Sequence, residues 1–484
     1  MVLALVAGLS AGVVNADFTF GDGQAIPNDP DFAEQWHLDN TGQMSGTPDA
    51  DINAPEAWEI TTGDPNIIVA VLDTGVDTKH PDLVNNLVPG YDFYDDDPSP
   101  APTNNFHGTA CAGLVAAQGN NGIGITGVTW NCKIMPIRTS TGTYTTADVA
   151  AKAFRWAANN GADVITCSFG STDEPILNSA IVDVTKPGGI GRNGKGCVVL
   201  AAAGNGNGPL DYPARHPDVI AVGATNNKDQ RWSYSNYGPE LDIVAPGGGL
   251  PKDGFPVWTT DITGSAGYRQ GDYTPFGGTS SACPVAAGMT ALILSIEPEL
   301  THDEVHHFLK CSAKDLGDPG RDDYYGWGRI DARAALDMVL ARRADLSNNW
   351  KVDFEDLLIL IEFWGTAEQS ADIAPAAKCD GIVDEQDLEL LMRYWQTEIP
   401  ELGLIVQWKL DETEGMFAVD SAGDNDAVVI GGAIWQPGSG QINGALELNG
   451  VDGYAITGAV LNPADGPFSV LAWVNGGAPG QVVV

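Results

Sequence analysis

The sequence predicts an α/β protein: a parallel sheet with helices on both faces, then a small all-α calcium-loop module and a truncated β-sandwich. Three observations carry that prediction. First, short β-rich, largely apolar runs at 67–72, 164–169, 197–203, 219–223 and 241–245 alternate with helical periodicity at 111–117, 146–159, 281–296 and 301–311. Strands that are apolar at nearly every position are buried on both faces, the condition of a parallel sheet between helices. Second, Val352-Asp-Phe-Glu-Asp-Leu recurs as Val383-Asp-Glu-Gln-Asp-Leu at a spacing of 31. Each copy is a carboxylate-bearing loop running into an amphipathic helix. Third, residues 404–484 are rich in Gly, Asn and Asp between short alternating strands, the pattern of a sandwich. A chain of 484 residues is too long for one core. The expected boundaries are a leader at 1–16, an α/β domain at 17–343, the repeat module at 344–400 and the sandwich at 401–484.

Composition narrows the function. Sixty-four acidic residues stand against 24 basic ones, a net charge of −40. Nucleic acid is excluded as a partner, because binding it requires neutralising phosphates. The balance suits cationic substrates and bound calcium. The apolar run 2–14 ends in Val14-Asn-Ala16, a small-residue cleavage pattern, which points to a secreted or cell-surface protein. That run is too short to span a bilayer, and no later segment reads as long and apolar enough to do so. The seven cysteines are scattered and mostly sit inside apolar patterns, so they read as small buried hydrophobes rather than a disulfide framework.

The first strand, Ile67-Ile-Val-Ala-Val-Leu-Asp73, ends in a carboxylate. Asn105-Phe-His107-Gly-Thr-Ala-Cys111 places a histidine at the start of a small-residue helix. Phe276-Gly-Gly-Thr-Ser280-Ser-Ala-Cys-Pro284 holds a serine between glycines and another such helix, where a carbonyl can approach closely. Peptide hydrolysis needs a nucleophile, a base, a carboxylate to orient the base, and donors for the oxyanion. Ser280, His107 and Asp73 fill the first three roles. An esterase of the lipase type is excluded, since it would need Ser before Asp before His.

With these motifs in the order Asp, His, Ser, residues from about 27 to 345 resemble a subtilisin-like serine protease, a subtilase. Asp29-Pro-Asp-Phe-Ala-Glu-Gln-Trp36-His-Leu and the His107-Gly-Thr-Ala-Cys111 segment look closest to the kexin and furin branch. The resemblance implies a subtilisin-like sheet, protein or peptide substrates, and Asn205 of Ala201-Ala-Ala-Gly-Asn205 as the side-chain oxyanion donor. It also implies that Ser168, Phe169 and Gly170 align the substrate as an added strand. Asp173 and Asp211 fall where kexin-like enzymes carry acids selecting Arg or Lys before the cleaved bond. Cys111, one helical turn past His107, packs near the imidazole as an inert filler. Subtilases usually carry a folding pro-region, and barely ten residues separate Ala16 from Pro27 here. The resemblance further implies calcium held by Asp29, Asp82 and Asn121, oxygen donors from three distant segments.

Asp345, Ser347, Asn349, Lys351 (through its carbonyl), Asp353 and Asp356 stand at the ligand positions of a calcium loop, with Trp350 where a glycine is usual. Followed by one helix and repeated, this resembles a dockerin, which implies a cohesin-like partner. The second copy keeps Asp380, Asp384 and Asp387 but has Ala376 and Lys378 at its first and third positions, so it binds weakly or borrows Asp372. The final segment resembles laminin-G-like or concanavalin-like domains, which need about twice this length; carbohydrate or a cell surface is the implied ligand. A rival reading is a secreted scaffold or adhesion protein with a relic protease domain. Intact Asp73, His107, Ser280 and Asn205 speak against it.

Overall fold

The apolar runs become the central strands expected of them. The computed structural model describes residues 24–249, 254–376 and 379–400, with short segments between 410 and 456. The expected leader at 1–16, Lys378 and most of the expected sandwich lie outside the described residues. One sheet holds seven strands: β1 (Ile68–Asp73), β2 (Tyr91–Asp92), β3 (Lys133–Arg138), β4 (Val164–Cys167), β5 (Val198–Ala202), β6 (Ile220–Thr225) and β7 (Ile243–Pro246). Their order is β2-β3-β1-β4-β5-β6-β7, with every pair parallel.

Seven helices accompany it: α1 (Ala54–Trp58), α2 (His107–Ala116), α3 (Ala147–Asn159), α4 (Pro175–Thr185), α5 (Thr279–Ile296), α6 (His302–Cys311) and α7 (Ala332–Ala344). Alternation along the strands divides the core into two layers. Val69, Val71, Leu200 and Val222 join the cluster that contains α2 and α5. Ala70, Leu72, Val199 and Ala201 join the one that contains α3 and α4. The sheet is thus covered on both faces.

Register then sets the site. Leu72 lies level with Cys167, and Cys167 with Ala201. Asp73 and Ser168 therefore emerge side by side at the carboxyl end of the sheet, and Asn205 follows three residues after β5. Such an end, in an open parallel sheet, is where ligands bind.

Every residue of α5 is buried. The expectation that no segment past the leader is long and apolar enough to cross a membrane is corrected here, since Thr279–Ile296 has a mean hydropathy of 1.5 over 18 residues. The physical reason is that α5 packs against β4, β5, β6 and β7 on one side and α2 on another, so it is apolar all round. An antiparallel hairpin, β8 (Val257–Thr260) and β9 (Tyr273–Phe276), feeds directly into it.

The repeat forms two further helices, α8 (Phe354–Glu362) and α9 (Glu385–Arg393). Each is capped by an aspartate whose partner three residues on closes a capping box, Asp353 with Asp356 and Asp384 with Asp387. The pair packs on α7. Tyr394 Oη donates to Asp337 Oδ1 at 2.7 Å, and Arg343 Nη1 donates to the Ala376 carbonyl at 2.8 Å. Leu360, Val383 and Leu391 belong to the same apolar cluster as α5 and α7. Beyond 400, the described residues include antiparallel strands β10 (Phe417–Ala418), β11 (Ala427–Ile430) and β14 (Tyr454–Ile456), and a second pair, β12 (Ile434–Gln436) with β13 (Ala445–Glu447).

Candidate active site

Asp73 closes β1 and is buried at 3 % exposure. His107 Nδ1 donates to Asp73 Oδ1 at 2.8 Å, and the Thr74 amide donates to the same oxygen at 2.7 Å. Asp73 Oδ2 is buried with no hydrogen-bond partner among the described residues. The close approach of α2 to the end of β1 requires Gly108. A Cβ there would stand 2.4 Å from the Gly75 carbonyl oxygen. With Nδ1 committed to the carboxylate, the lone pair of His107 lies on Nε2, the tautomer a general base needs. Burial pushes the His107 pKa down, but the Asp73 charge and hydrogen bond outweigh it, and the net shift is upward.

Ser280 is the second residue of α5. Pro284 lies four residues on and has no N–H, so the Ser280 carbonyl loses its helical donor. Two side chains replace it. Ser168 Oγ donates to that carbonyl at 3.2 Å, and the Cys111 thiol donates at 3.4 Å. Cys111 Sγ is also 3.8 Å from His107 Nδ1, so His107 and Ser280 flank one buried side chain. Burial raises the Cys111 pKa well above the ordinary thiol value, which leaves it protonated and unreactive. The proline is a functional signal that sequence reasoning missed, although a Pro four residues past a helix-opening serine was there to be read.

Asn205 Oδ1 accepts from the Thr279 amide at 2.9 Å and from Thr279 Oγ1 at 3.1 Å. Those bonds assign the opposite end, Nδ2, as donor, and a Cβ on Gly278 would sit 3.3 Å from it. The Ser280 amide belongs to the first turn of α5, where N–H groups lack helical partners. Asn205 is thereby tied to Thr279, the residue before Ser280, at the start of α5.

Of the expected substrate-binding residues, Ser168 is tied to the nucleophile as described, and Phe169 is buried. Gly170 pairs with a neighbouring segment through Gly170 N to Thr143 O at 2.9 Å and Thr145 N to Gly170 O at 3.0 Å. Asp211 lies beside Gly204. A Cβ on Gly204, itself at φ +107°, would be 2.2 Å from Asp211 Oδ2. Asp173 is differently engaged: it pairs with Arg215 at 3.5 Å and accepts from Asn178 Nδ2 at 3.0 Å.

Asp29, Asp82 and Asn121 are brought together. Asn121 Nδ2 donates to Asp82 Oδ1 at 2.8 Å, and the Asn120 and Asn121 amides donate to Asp29 at 2.6 and 3.2 Å. Burial raises the Asp82 pKa to about 6 despite three hydrogen bonds, and the Asp29 charge adds to the rise. Two buried carboxylates with no cationic side chain between them among the described residues fit a calcium site, whose ion would hold both ionised.

In the first repeat loop, Asp345 Oδ1 accepts from the Asn349 amide at 3.0 Å and Ser347 Oγ at 3.3 Å. Asp356 accepts from the Ser347 and Asp353 amides, each at 2.7 Å. The Lys351 amide donates to Asn349 Oδ1 at 2.9 Å. Trp350, in the place of the usual glycine, adopts φ +65°, and the Arg342 guanidinium lies 4.7 Å over its ring. In the second loop, Asp387 accepts from the Ile373 and Ala374 amides at 2.6 and 2.8 Å. Asp380 and Asp384 accept from the Ile382 and Gln386 amides at 3.1 and 2.8 Å. Asp372, not Ala376, stands toward Asp387 as Asp345 stands toward Asp356. It accepts from the Gly381 amide at 2.9 Å, while its buried Oδ1 has no hydrogen-bond partner among the described residues. The oxygen sets and that orphaned carboxylate atom are of the type calcium takes, while in the first loop Arg342 Nη1 already stands 3.3 Å from Asp345 Oδ2. Cys311 and Cys379 are exposed, and the other five cysteines are buried and free.

Residues 64–328 match the family model described as the subtilase family. The chain belongs to the subtilase family. This subtilase is 40% identical to a calcium-dependent protease of Trichormus variabilis over 64% of its own length and 52% of the relative's. It is 33% identical to thermitase of Thermoactinomyces vulgaris, covering 64% of itself and 99% of thermitase. A solved protease from Pseudoalteromonas arctica superposes with a TM-score of 0.55 at 32% identity, covering 65% of the subtilase and 99% of that chain. The subtilase spans about half the length of the calcium-dependent protease it matches.

Proposed function

We propose that the chain is a calcium-dependent serine endopeptidase. The observation that carries this reading is the 2.8 Å bond from His107 to Asp73, with Cys111 joining that imidazole to the Ser280 backbone. Ser280 Oγ attacks the scissile carbonyl carbon while His107 Nε2 takes the hydroxyl proton. The carbonyl electron pair moves onto oxygen, where Asn205 Nδ2 and the Ser280 amide stabilise it. Asp73 holds the imidazole in the needed tautomer and stabilises the imidazolium. Collapse breaks the C–N bond, and the leaving amine takes the proton from His107. Water then repeats the sequence on the acyl-enzyme, releasing the acid and restoring Ser280.

Calcium at Asp29, Asp82 and Asn121 supplies positive charge that offsets the buried carboxylates and ties the N-terminal segment to the 119–125 loop. The repeat module binds calcium through Asp345, Ser347, Asn349, Lys351, Asp353 and Asp356, and through Asp372, Asp380, Asp384 and Asp387. Its dockerin resemblance supports a cohesin-like docking partner. The final segment supports attachment to carbohydrate or a cell surface, and the leader-like residues 1–16 support secretion.

For the residue before the cleaved bond we favour Arg or Lys, in keeping with the kexin and furin resemblance. Asp211, beside Gly204, is the acid that supports this, because Arg215 already occupies Asp173. Hydrolysis of matched Arg- and Phe-terminated p-nitroanilides tests it in calcium. The expected result is an Arg preference that falls about tenfold or more in Asp211→Asn, the size of one charge-assisted contact. A preference for Phe overturns the basic reading.

A further inference from the structure

We propose that Tyr268, with Phe106 and Phe276, forms an aromatic subsite for the residue that follows the cleaved bond, selecting a large aromatic or apolar side chain there. The inference rests on the peptidase reading above. The leaving amine receives its proton from His107, so the residues after the bond lie on the imidazole side of the nucleophile. Three rings continue outward from that imidazole. Phe276 meets His107 edge-on, with centroids 5.1 Å apart at 82°. Phe106, the residue before His107, lies 6.0 Å from the Phe276 ring and 5.0 Å from the Tyr268 ring. Exposure rises along the row: Phe276 is buried, Phe106 is half-buried and Tyr268 is 56% exposed.

An exposed tyrosine on a loop ordinarily needs no explanation. This loop is different because it is rigidly built. Asp261, fully buried where β8 ends, accepts from the Ile262 amide at 2.8 Å, the Tyr268 amide at 3.0 Å and the Arg269 amide at 2.9 Å. Thr263 donates to Asp77 Oδ2 through its amide at 2.9 Å and its hydroxyl at 2.7 Å. Asp77 lies just past Asp73, so the loop is clamped to the segment that carries the triad carboxylate. The Gly264 amide adds a bond to Asp272 Oδ1 at 2.9 Å. Asp261 and Asp77 spend their carboxylates on these bonds, which hold the loop that carries Tyr268. A ring held open on a fixed support binds another ring without first being ordered.

The test uses two sets of internally quenched peptides, one with Arg and one with Phe before the bond, each with Phe, Leu, Ala or Asp after it, plus the p-nitroanilides of the same acyl halves. In the full chain, kcat/KM for Phe after the bond should exceed that for Ala by about threefold to tenfold, the usual worth of an aromatic pair. Tyr268→Ala should erase that ratio, and Tyr268→Phe should keep it. A ratio near one in the unaltered chain overturns the subsite. So does a ratio that survives Tyr268→Ala, or a loss shared in equal proportion by the p-nitroanilides, which would mark a structural role. If the unaltered chain cleaves neither peptide nor anilide, the peptidase reading itself falls, and the subsite with it.

Discussion

Replacing Asp82 by Asn should change how stability follows pH, by an amount set by burial. Asp82 is 1% exposed and its pKa is raised to about 6 from 3.8. A raised carboxylate pKa means the fold favours the protonated form, so its cost is absent below about pH 4 and complete above about pH 6. The rise of about two units corresponds to about 3 kcal/mol. Without calcium, the unaltered chain should therefore lose about 3 kcal/mol relative to Asp82→Asn as pH rises from 4 to 6.5. Acids away from the site titrate alike in both proteins and cancel in the difference, whereas Asp29, whose charge adds to the Asp82 shift, changes with it. The substitution also disturbs the bonds from Asn121, Ile125 and Tyr273, but that cost is independent of pH. Calcium should remove the divergence, because a bound cation holds the carboxylate ionised. Urea unfolding of both proteins at several pH values, in EGTA and in calcium, measures it. Parallel stability curves in EGTA would refute the assignment of a desolvated, cation-seeking carboxylate at Asp82.

Two further predictions concern the triad. The acid limb of kcat/KM should have its midpoint above the ordinary imidazole value, since Asp73 raises the His107 pKa and the neutral base is lost as pH falls; Asp73→Asn should lower kcat by about 10⁴, measured across that pH profile. Asn205→Ala should lower kcat by about 10²–10³ with little change in KM, since its amide meets charge that exists only in the transition state; equal losses in binding and turnover would count against that role.

Much of the sheet was legible because burial on both faces leaves a simple mark. β1, β4, β5, β6 and β7 all fall within or beside the largely apolar runs. β3 escaped that reading because Lys133 and Arg138 bound it and Pro136 interrupts it. It is a sheet member all the same, paired residue for residue with β1. Asp73, His107, Ser280 and Asn205 drew notice in the sequence because each stands at the end of a strand, in the loop after one or in the first turn of a helix, with glycines beside it. The pairing of Asp173 with Arg215 was not, since the partners lie far apart in the chain and only the fold joins them. Nor was the clamp from Asp77 to Thr263, or the ring contact between Phe106 and Tyr268, for the same reason. Asp372 was legible only as an alternative. Its displacement from the usual first loop position is a matter of backbone path, which residue spacing alone does not reveal.

The central claim is that Asp73, His107 and Ser280 act as one nucleophilic unit. The most direct measurement is labelling of the full chain in calcium by a fluorophosphonate, with the modified residue located by peptide mass. The account predicts stoichiometric labelling at Ser280 that vanishes in Ser280→Ala. Labelling at another residue, or none in a folded, calcium-loaded protein, would contradict it.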